Sequence, residues 1–480
     1  MARIALHALG CRLNEAEIER LSLDLQSAGH TIVRMEDAPD VVVLNTCGVT
    51  ADAMRKSRHM ARRLARHRPQ CLVIMGCALD LTPLDAAFLS AFDQAPCAGD
   101  PADQAQISRG SARMRAADAS GEHIATQGEA SPSHISPAAG LSSSPSPQPI
   151  DILHIRREEK PFAARHILAR VAAICLPTPR QVPEEGSHRA HTRGFIKIQD
   201  GCNNQCSYCA VRLARGSERS EPAAAVLEDV RAQLARGCRE IVLTGVQLGA
   251  WREGECRLPE LLCLLLEETP AERLRLSSIE PWHVGPSLWR LWESPRLCPH
   301  FHIPVQSGSD AVLKAMRRRI LIPAFLERLS AIRLAIPGVR ISTDLIVGFP
   351  GETDAMWAET LDFIDAAAFD DVHLFRFSPR PGTEAASLPN PLGDALKRAR
   401  YAQAQARIET IRRLRLADCL GSAHAVLWES AEKPVGGKRL WKGYSANYLL
   451  FRREFEVEKT MRGTITHEIF DHRDLLPRGS

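Results

Sequence analysis

Residues 195–209 read FIKIQDGCNNQCSYC, an apolar strand pattern from Phe195 to Gln199 that runs at Asp200 into a loop carrying Cys202, Cys206 and Cys209. The spacing Cys-x3-Cys-x2-Cys, with Tyr208 before the last cysteine, supplies three thiolates to a four-iron cluster and leaves one iron open. A closed structural zinc site wants four nitrogen or sulfur ligands, usually as two Cys-x2-Cys pairs, and no second pair follows at the right distance. A ferredoxin-type electron carrier uses four cysteines and needs no large domain around them. Three thiolates favour an iron that a substrate can reach.

At 480 residues the chain is long enough for several domains, since single cores stop growing near ~250–300 residues. Its 45% hydrophobic and 25% charged residues are ordinary globular values. No run of about 18 apolar residues suggests a membrane span, and the start MARIALHALGCRLNEAEIER lacks the layout of an export signal. A cytoplasmic protein without membrane partners is expected, with its 14 cysteines kept reduced. A net charge of only +4 leaves nucleic-acid binding to local patches.

Upstream of residue 195, short apolar runs alternate with helical patterns: Arg3 to Leu9, about Asn14 to Ala28, Asp40 to Asn45, about Asp52 to Arg68, then Cys71 to Gly76. That order predicts a small parallel α/β domain. Cys11, Cys47 and Cys77 each follow one of its strands, and loops after the carboxyl ends of parallel strands gather on one edge. From spacing alone the three are either a second cluster site or buried apolar cysteines. Cys71, Cys97, Cys175, Cys238, Cys256, Cys263, Cys298 and Cys419 lack cluster spacing and read as packing or incidental residues. Residues 99–150, rich in Ala, Ser, Gly, Gln and Pro, bury too little apolar surface to offset their ordering entropy and read as a disordered insertion. ILHI then offers a closing strand and HILARVAAICL a helix, so the first domain is expected over residues 1–98 plus about 151–185.

Downstream, strand candidates at Phe195–Gln199, Glu240–Thr244, Leu274–Ser278, Phe301–Val305, Arg340–Val347 and Val372–Phe377 alternate with helical patterns. This fits a partial parallel (β/α)6 barrel over residues 186–417. Asp200, Thr244 with Gly245, Glu280, Gln306 with Ser307, and the Gly348–Glu352 loop fall at strand ends, which places the chemistry on one rim. After a helix from about Gly393 to Leu420, VLWE, RLWKGY and NYLLFRREFEVE predict a small β-barrel over residues 418–480.

GCRLNEAE, NTCGVTADAMRKSR, MGC, RGFIKIQDGCNNQCSYC, RGSERS, EIVLTGVQLG, RLSSIEP, HIPVQSGSD, TDLIVGFPGET and FSPRPGT, in this order, resemble the methylthiotransferase family of radical S-adenosylmethionine enzymes over nearly the whole chain outside the insertion. The resemblance implies an N-terminal α/β domain with an auxiliary 4Fe-4S cluster on Cys11, Cys47 and Cys77. It further implies a barrel whose own 4Fe-4S cluster sits on Cys202, Cys206 and Cys209, and a C-terminal TRAM-like module that grips tRNA. S-adenosylmethionine is then expected at the open iron, split by an electron from a donor such as flavodoxin or ferredoxin. The resulting 5′-deoxyadenosyl radical takes hydrogen from carbon 2 of an adenine, where methylated sulfur from the auxiliary cluster joins. The ultimate sulfur donor is left open.

GCRLN is closer to the branch acting on threonylcarbamoyladenosine beside the anticodon than to the isopentenyladenosine branch, which shows GCQMN, or the ribosomal-protein aspartate branch, which shows GCPKN. By the same resemblance Thr244, Gly245, Ser342, Asp344 and the turn from Gly348 to Glu352 line the S-adenosylmethionine site, and Tyr208 packs beside the cluster and the adenine or simply fills the core. Gln306 and Glu280 meet substrate or ribose hydroxyls, or cap neighbouring loops. Between Asp52 and Pro69 stand seven Lys or Arg, two His and a single Asp, a helical face suited to RNA phosphates or simply to solvent. Arg398, Arg400, Arg407, Arg412, Arg413 and Arg415 suggest a second basic helix, whereas residues 418–480 hold ten Lys plus Arg against nine Asp plus Glu. There Trp428, Trp441, Tyr444 and Tyr448 stack bases or fill the core, with the core favoured for most. Arg212, where the family usually has proline, Ile320, and ALDL after MGC depart from the pattern but leave all six cysteines untouched. A rival class, a non-catalytic RNA-binding or electron-transfer iron–sulfur protein, predicts no cleavage of S-adenosylmethionine.

Overall fold

The computed structural model describes residues 1–81, 150–173, 192–390 and 392–475. Its first part is a five-stranded, all-parallel sheet in the order β2-β1-β3-β4-β5, with β1 Arg3–Ala8, β2 Thr31–Ile32, β3 Val41–Thr46, β4 Cys71–Gly76 and β5 Asp151–Ile155. Strands β3 and β4 are buried along their whole length because helices cover both faces. On one face Val41, Val43, Cys71 and Val73 pack under Leu21 and Leu25 of α1 (Arg12–Ser27) and under Ile167 and Val171 of the helix Ala163–Ala173. On the other, Val42, Leu44, Leu72 and Ile74 meet Ala61 and Leu64 of α2 (Ala51–Ala65). Cys71 is thus a core residue, as expected. Cys97, Cys175 and the insertion read over residues 99–150, but for Ile150, lie outside the described residues.

The barrel strands are β6 Arg193–Asp200, β8 Glu240–Gly245, β11 Arg273–Leu276, β12 His300–His302, β13 Arg340–Val347 and β14 Asp371–Arg376, with the short β7 Arg219–Ser220 antiparallel on β6 and a small hairpin, β9 Arg252–Glu253 and β10 Cys256–Arg257, beside them. All six are parallel neighbours in chain order, the β11–β12 junction being made by Ser278 against His302 and by Ile279 N donating to His302 O at 2.9 Å. Among the described residues β6 and β14 do not pair, so the barrel stays open on that side. There α1 packs along β6, and the Glu19 carboxylate accepts the Phe195 N–H at 2.8 Å.

The C-terminal strands β15 Ala423–Ala431, β16 Lys438–Ser445, β17 Leu450–Glu456 and β18 Ile465–Ile469 form an antiparallel half-barrel in the order β17-β16-β15-β18, consistent with a TRAM-like module. Trp428, Trp441, Phe451 and Phe470 fill it. It docks at the amino-terminal mouth of the barrel, where Arg273 donates to Tyr444 O at 3.1 Å and to Ala425 O at 2.6 Å. The helix Asp394–Ala417 corrects one sequence expectation. Its arginines are largely paired: Arg400 with Glu352 at 2.7 Å and Asp354 at 2.6 Å, Arg412 and Arg413 with Glu409, Arg407 with Asp365, and Arg415 with Asp370. It offers little free charge to RNA. Among the described residues no helix is long and apolar enough to cross a membrane.

Glu240 opens β8 with no solvent exposure and meets Arg275 at 2.6 Å, Arg193 at 3.2 Å and Arg273 at 3.6 Å. Burial pushes its carboxyl up, but the guanidiniums of Arg275 and then Arg193 more than reverse this and bring it from 4.5 to about 2. The folded value is the lower one, so this stabilisation is complete above about pH 4.5 and is lost as the pH falls toward 2. Glu240→Gln is therefore expected to cost roughly 3–5 kcal/mol at pH 7, by stranding the fully buried Arg275 while Arg193 keeps Glu429 and Arg273 keeps its carbonyl acceptors, and to flatten the wild type's loss of stability below pH 4.5. Urea unfolding of both proteins at pH 7 and pH 3.5 measures this.

Candidate functional site

Both cysteine triads line one cavity of about 1010 Å³ enclosed by the first domain, the barrel and the half-barrel. Cys11 precedes α1, Cys47 follows β3, and Cys77 opens the short helix α3 (Cys77–Leu81) directly after β4. The chain brings these three loops together by close backbone contact. At Gly10, where φ is +103°, a Cβ would sit 2.4 Å from Cys47 Cβ, and at Gly76, where φ is +104°, it would sit 2.3 Å from Thr46 O. Ser57 holds the Cys47 peptide from both sides, accepting from its N–H at 3.1 Å and donating to its carbonyl at 2.8 Å.

The second triad is anchored as firmly. Asp200 Oδ1 accepts the Gly201 N–H at 2.8 Å, Cys202 N donates to Gly216 O at 3.0 Å, and Ser207 is tied to Met316 O and Ala315 O. Arg318 lies 3.9 Å from Cys206 Sγ while gripping Glu280 with two hydrogen bonds of 3.1 and 2.6 Å. Burial raises the thiols of Cys47, Cys77 and Cys202, and takes Cys209 to about 12. Thiolates at these positions need a compensating metal or cation. All six are free cysteines. A soft three-sulfur donor set on each side of one cavity fits a 4Fe-4S cluster at each triad.

Tyr208, Thr244, Gly245, Ser342 and Asp344 line the same cavity, as do Gln306 and Glu280. Gln306 holds φ +83°, a costly conformation for a side-chain-bearing residue, fixed by its N–H on Asp344 O at 2.9 Å and its carbonyl under Ile346 N at 2.8 Å. Gly348 is placed differently from these residues. It does not line the cavity; it makes a turn with φ +76°, donates to Glu352 Oε2 at 3.0 Å, and packs so tightly on Lys397 that a Cβ would lie 2.6 Å from its Cγ. Ile346, two residues earlier, is the part of that motif that reaches the cavity.

Sequence reasoning missed several wall residues. His302 Nε2 and His373 Nδ1 lie 3.1 and 3.3 Å from Asp344 Oδ1, and His302 Nδ1 lies 2.9 Å from Ser342 Oγ. Burial pushes the Asp344 carboxyl up, but its bonds to the two imidazoles outweigh this and hold it below the usual carboxylate range. Of the four C-terminal aromatics, Trp428 and Trp441 are core, while Tyr444 and Tyr448 face the cavity. The Tyr448 hydroxyl accepts from Arg12 at 2.9 Å and from Arg193 at 3.0 Å, joining all three parts of the fold. The sequence pattern put the strand over Phe301–Val305, whereas it stops at His302, which hid that residue's place on the rim; Tyr448 was legible as a stacking or core aromatic but not as the acceptor of two arginines.

The chain matches the Radical SAM superfamily over residues 196–364 and an uncharacterized protein family, UPF0004, over residues 3–91. It is 33% identical over 410 residues to the threonylcarbamoyladenosine tRNA methylthiotransferase MtaB of Thermotoga maritima, covering 83% of this chain and 80% of that protein. It is 32% identical over 406 residues to the tRNA-2-methylthio-N(6)-dimethylallyladenosine synthase of Desulfosudis oleivorans, covering 83% and 77%. Among solved structures, the radical S-adenosylmethionine methyltransferase TsrM from Kitasatospora setae, with tryptophan and a S-adenosylmethionine analog bound, aligns with a TM-score of 0.50 at 13% identity over 90% of this chain and 80% of that one, a likeness of fold alone. Identity at this level along four-fifths of the chain places the protein in the methylthiotransferase family of radical S-adenosylmethionine enzymes, among the members that modify tRNA.

Proposed function

We propose that this enzyme installs a methylthio group on carbon 2 of threonylcarbamoyladenosine beside the anticodon of tRNA. The observation that carries the reading is the pair of three-cysteine sites on one cavity. When bound, S-adenosylmethionine and the two 4Fe-4S clusters supply the radical that breaks the carbon–hydrogen bond and the sulfur that replaces the hydrogen. Cys202, Cys206 and Cys209 hold one cluster and Cys11, Cys47 and Cys77 the other. Thr244, Gly245 and Ser342 seat S-adenosylmethionine, with Tyr208 packed beside it. Asp344, kept ionised by His302 and His373, accepts hydrogen bonds from its ribose hydroxyls. Arg318 and Glu280 fix the polar wall on the Cys206 side. The electron donor is a small carrier such as flavodoxin or ferredoxin, and the compartment is the cytoplasm.

For the tRNA backbone we assign the exposed face of α2. Arg55, Arg58, His59 and Arg62 line a second cavity of about 560 Å³ together with Arg380, whose Nη2 donates to Gly48 O at 2.6 Å, one residue beyond Cys47. Phosphates placed there lie beside the proposed auxiliary cluster. The substrate base rests on the GCRLN motif and on the 33% identical relative; the 32% identical dimethylallyladenosine synthase supports isopentenyladenosine as the second reading.

Two measurements test this. In a strain lacking the gene, mass spectrometry of tRNA nucleosides is expected to show loss of methylthio-threonylcarbamoyladenosine, restored by the wild type and not by Cys206→Ala or Cys47→Ala. Loss of methylthio-isopentenyladenosine instead moves the assignment to the second reading, and an unchanged pool of both points to a protein substrate. Separately, Arg58→Gln with Arg62→Gln is expected to weaken tRNA binding roughly tenfold at low salt, and to lower the slope of log affinity against log salt by about 1 per arginine. Fluorescence anisotropy across salt concentrations reads both quantities.

A further inference from the structure

Arg215 ends the short helix Val211–Arg215 that follows Cys209, and its side chain, 3% exposed, leaves the barrel and enters the first domain. Its Nη1 donates to Glu17 Oε1 at 2.9 Å and to Asp200 Oδ1 at 3.0 Å, and its Nη2 donates to Asn14 Oδ1 at 2.7 Å. Its partners are the last residue of β6, which leads into the Cys202 loop, and two residues of α1, which follows Cys11. Asp200 stands two residues before Cys202 and caps Gly201 N. Asn14 stands three residues after Cys11 and donates to Leu9 O at 2.7 Å and Thr46 O at 3.0 Å, which flank Cys11 and Cys47. Glu17 in turn accepts from Asn45 at 2.8 Å. The helix carrying Arg215 packs on α3, which Cys77 opens, and the guanidinium lines the cavity that holds all six cysteines.

Charges of both signs crowd this junction. Lys160 lies 3.7 Å from Glu17, Lys197 lies 3.8 Å from Asp200 and 3.3 Å from the 40% exposed Glu221, and Arg219 lies 3.1 Å from Asp200. Asp80 also faces Lys160, so four cations meet four carboxylates, and Arg215 is the least exposed of the cations. Reduction of a thiolate-held cluster adds negative charge, which a nearby buried cation stabilises because little solvent screens it.

We propose that Arg215 is a positioning residue that bolts the two cysteine loops to each other and holds up the reduction potential of the cluster on Cys11, Cys47 and Cys77. The inference rests on the two-cluster reading above. The test uses the full-length reconstituted protein with Cys202→Ala, Cys206→Ala and Cys209→Ala, so that the remaining signal belongs to the N-terminal site, and titrates it potentiometrically by electron paramagnetic resonance. Arg215→Gln is expected to lower the reduced-to-oxidised ratio at a fixed poise about tenfold, equivalent to about 59 mV for a one-electron couple. Arg215→Lys, which keeps the charge, is expected to stay within about twofold of the parent. Glu17→Gln, which removes a compensating anion, is expected to shift the ratio in the opposite direction and keeps the test decisive if Arg215→Gln does not fold. An Arg215→Gln ratio within about twofold of the parent, or a Glu17→Gln shift toward easier oxidation, overturns the proposal. A parent protein with no cluster signal refutes the two-cluster reading instead.

Discussion

Parallel strands release their loops at one edge, and here two parallel sheets release six cysteines into a shared cavity. Everything else in the fold serves that convergence. The buried strands β3 and β4 fix where Cys47 and Cys77 emerge, and β6 fixes the Asp200–Cys209 loop. The open side of the barrel, between β6 and β14, is where α1 lies, so the first domain completes a wall that six strands leave unfinished. The half-barrel then closes the opposite mouth through Tyr444 and Tyr448.

Such a cavity needs rigid walls, and the chain builds them from buried ion pairs that are costly to desolvate and costlier to break. Arg215 with Glu17 and Asp200, Arg275 with Glu240, and Arg318 with Glu280 each cross from one element to another with little or no exposure of the arginine. Two of these three touch a cysteine loop: Arg215 through Asp200, and Arg318 beside Cys206. The same guanidiniums that hold elements together thus set the electrostatics around the sulfurs. Asp344 follows this logic at the S-adenosylmethionine site proposed above, where two imidazoles keep a buried carboxylate ionised.

What the sequence made legible was local. The Cys-x3-Cys-x2-Cys spacing lies within a single loop, and the alternation of strands with helices placed all six barrel strands and four of the five strands of the parallel first sheet, missing the two-residue β2. The convergence of Cys11, Cys47 and Cys77 followed from strand-edge topology, although spacing alone left it open. What stayed hidden depends on contacts between distant segments. Tyr448 reaches Arg12 across 436 positions, and Arg215 reaches Asn14 across 201. Gly348 looked like a ligand-approach glycine because its motif is glycine-rich, yet Lys397 from a later helix occupies the space above it. Arg400, Arg407 and Arg415 of the helix Asp394–Ala417 find their acidic partners Glu352, Asp354, Asp365 and Asp370 on other elements, which the helix's own sequence does not show. By contrast α2 keeps most of its charge on the solvent side.

The whole arrangement stands on two iron sites that share one cavity. Anomalous diffraction at the iron edge from crystals of the anaerobically reconstituted protein tests it most directly. Two iron peaks are predicted, one against Cys11, Cys47 and Cys77 and one against Cys202, Cys206 and Cys209, on facing walls of the same cavity. A single peak, or a second one at Cys71, Cys238 or Cys298, would contradict it.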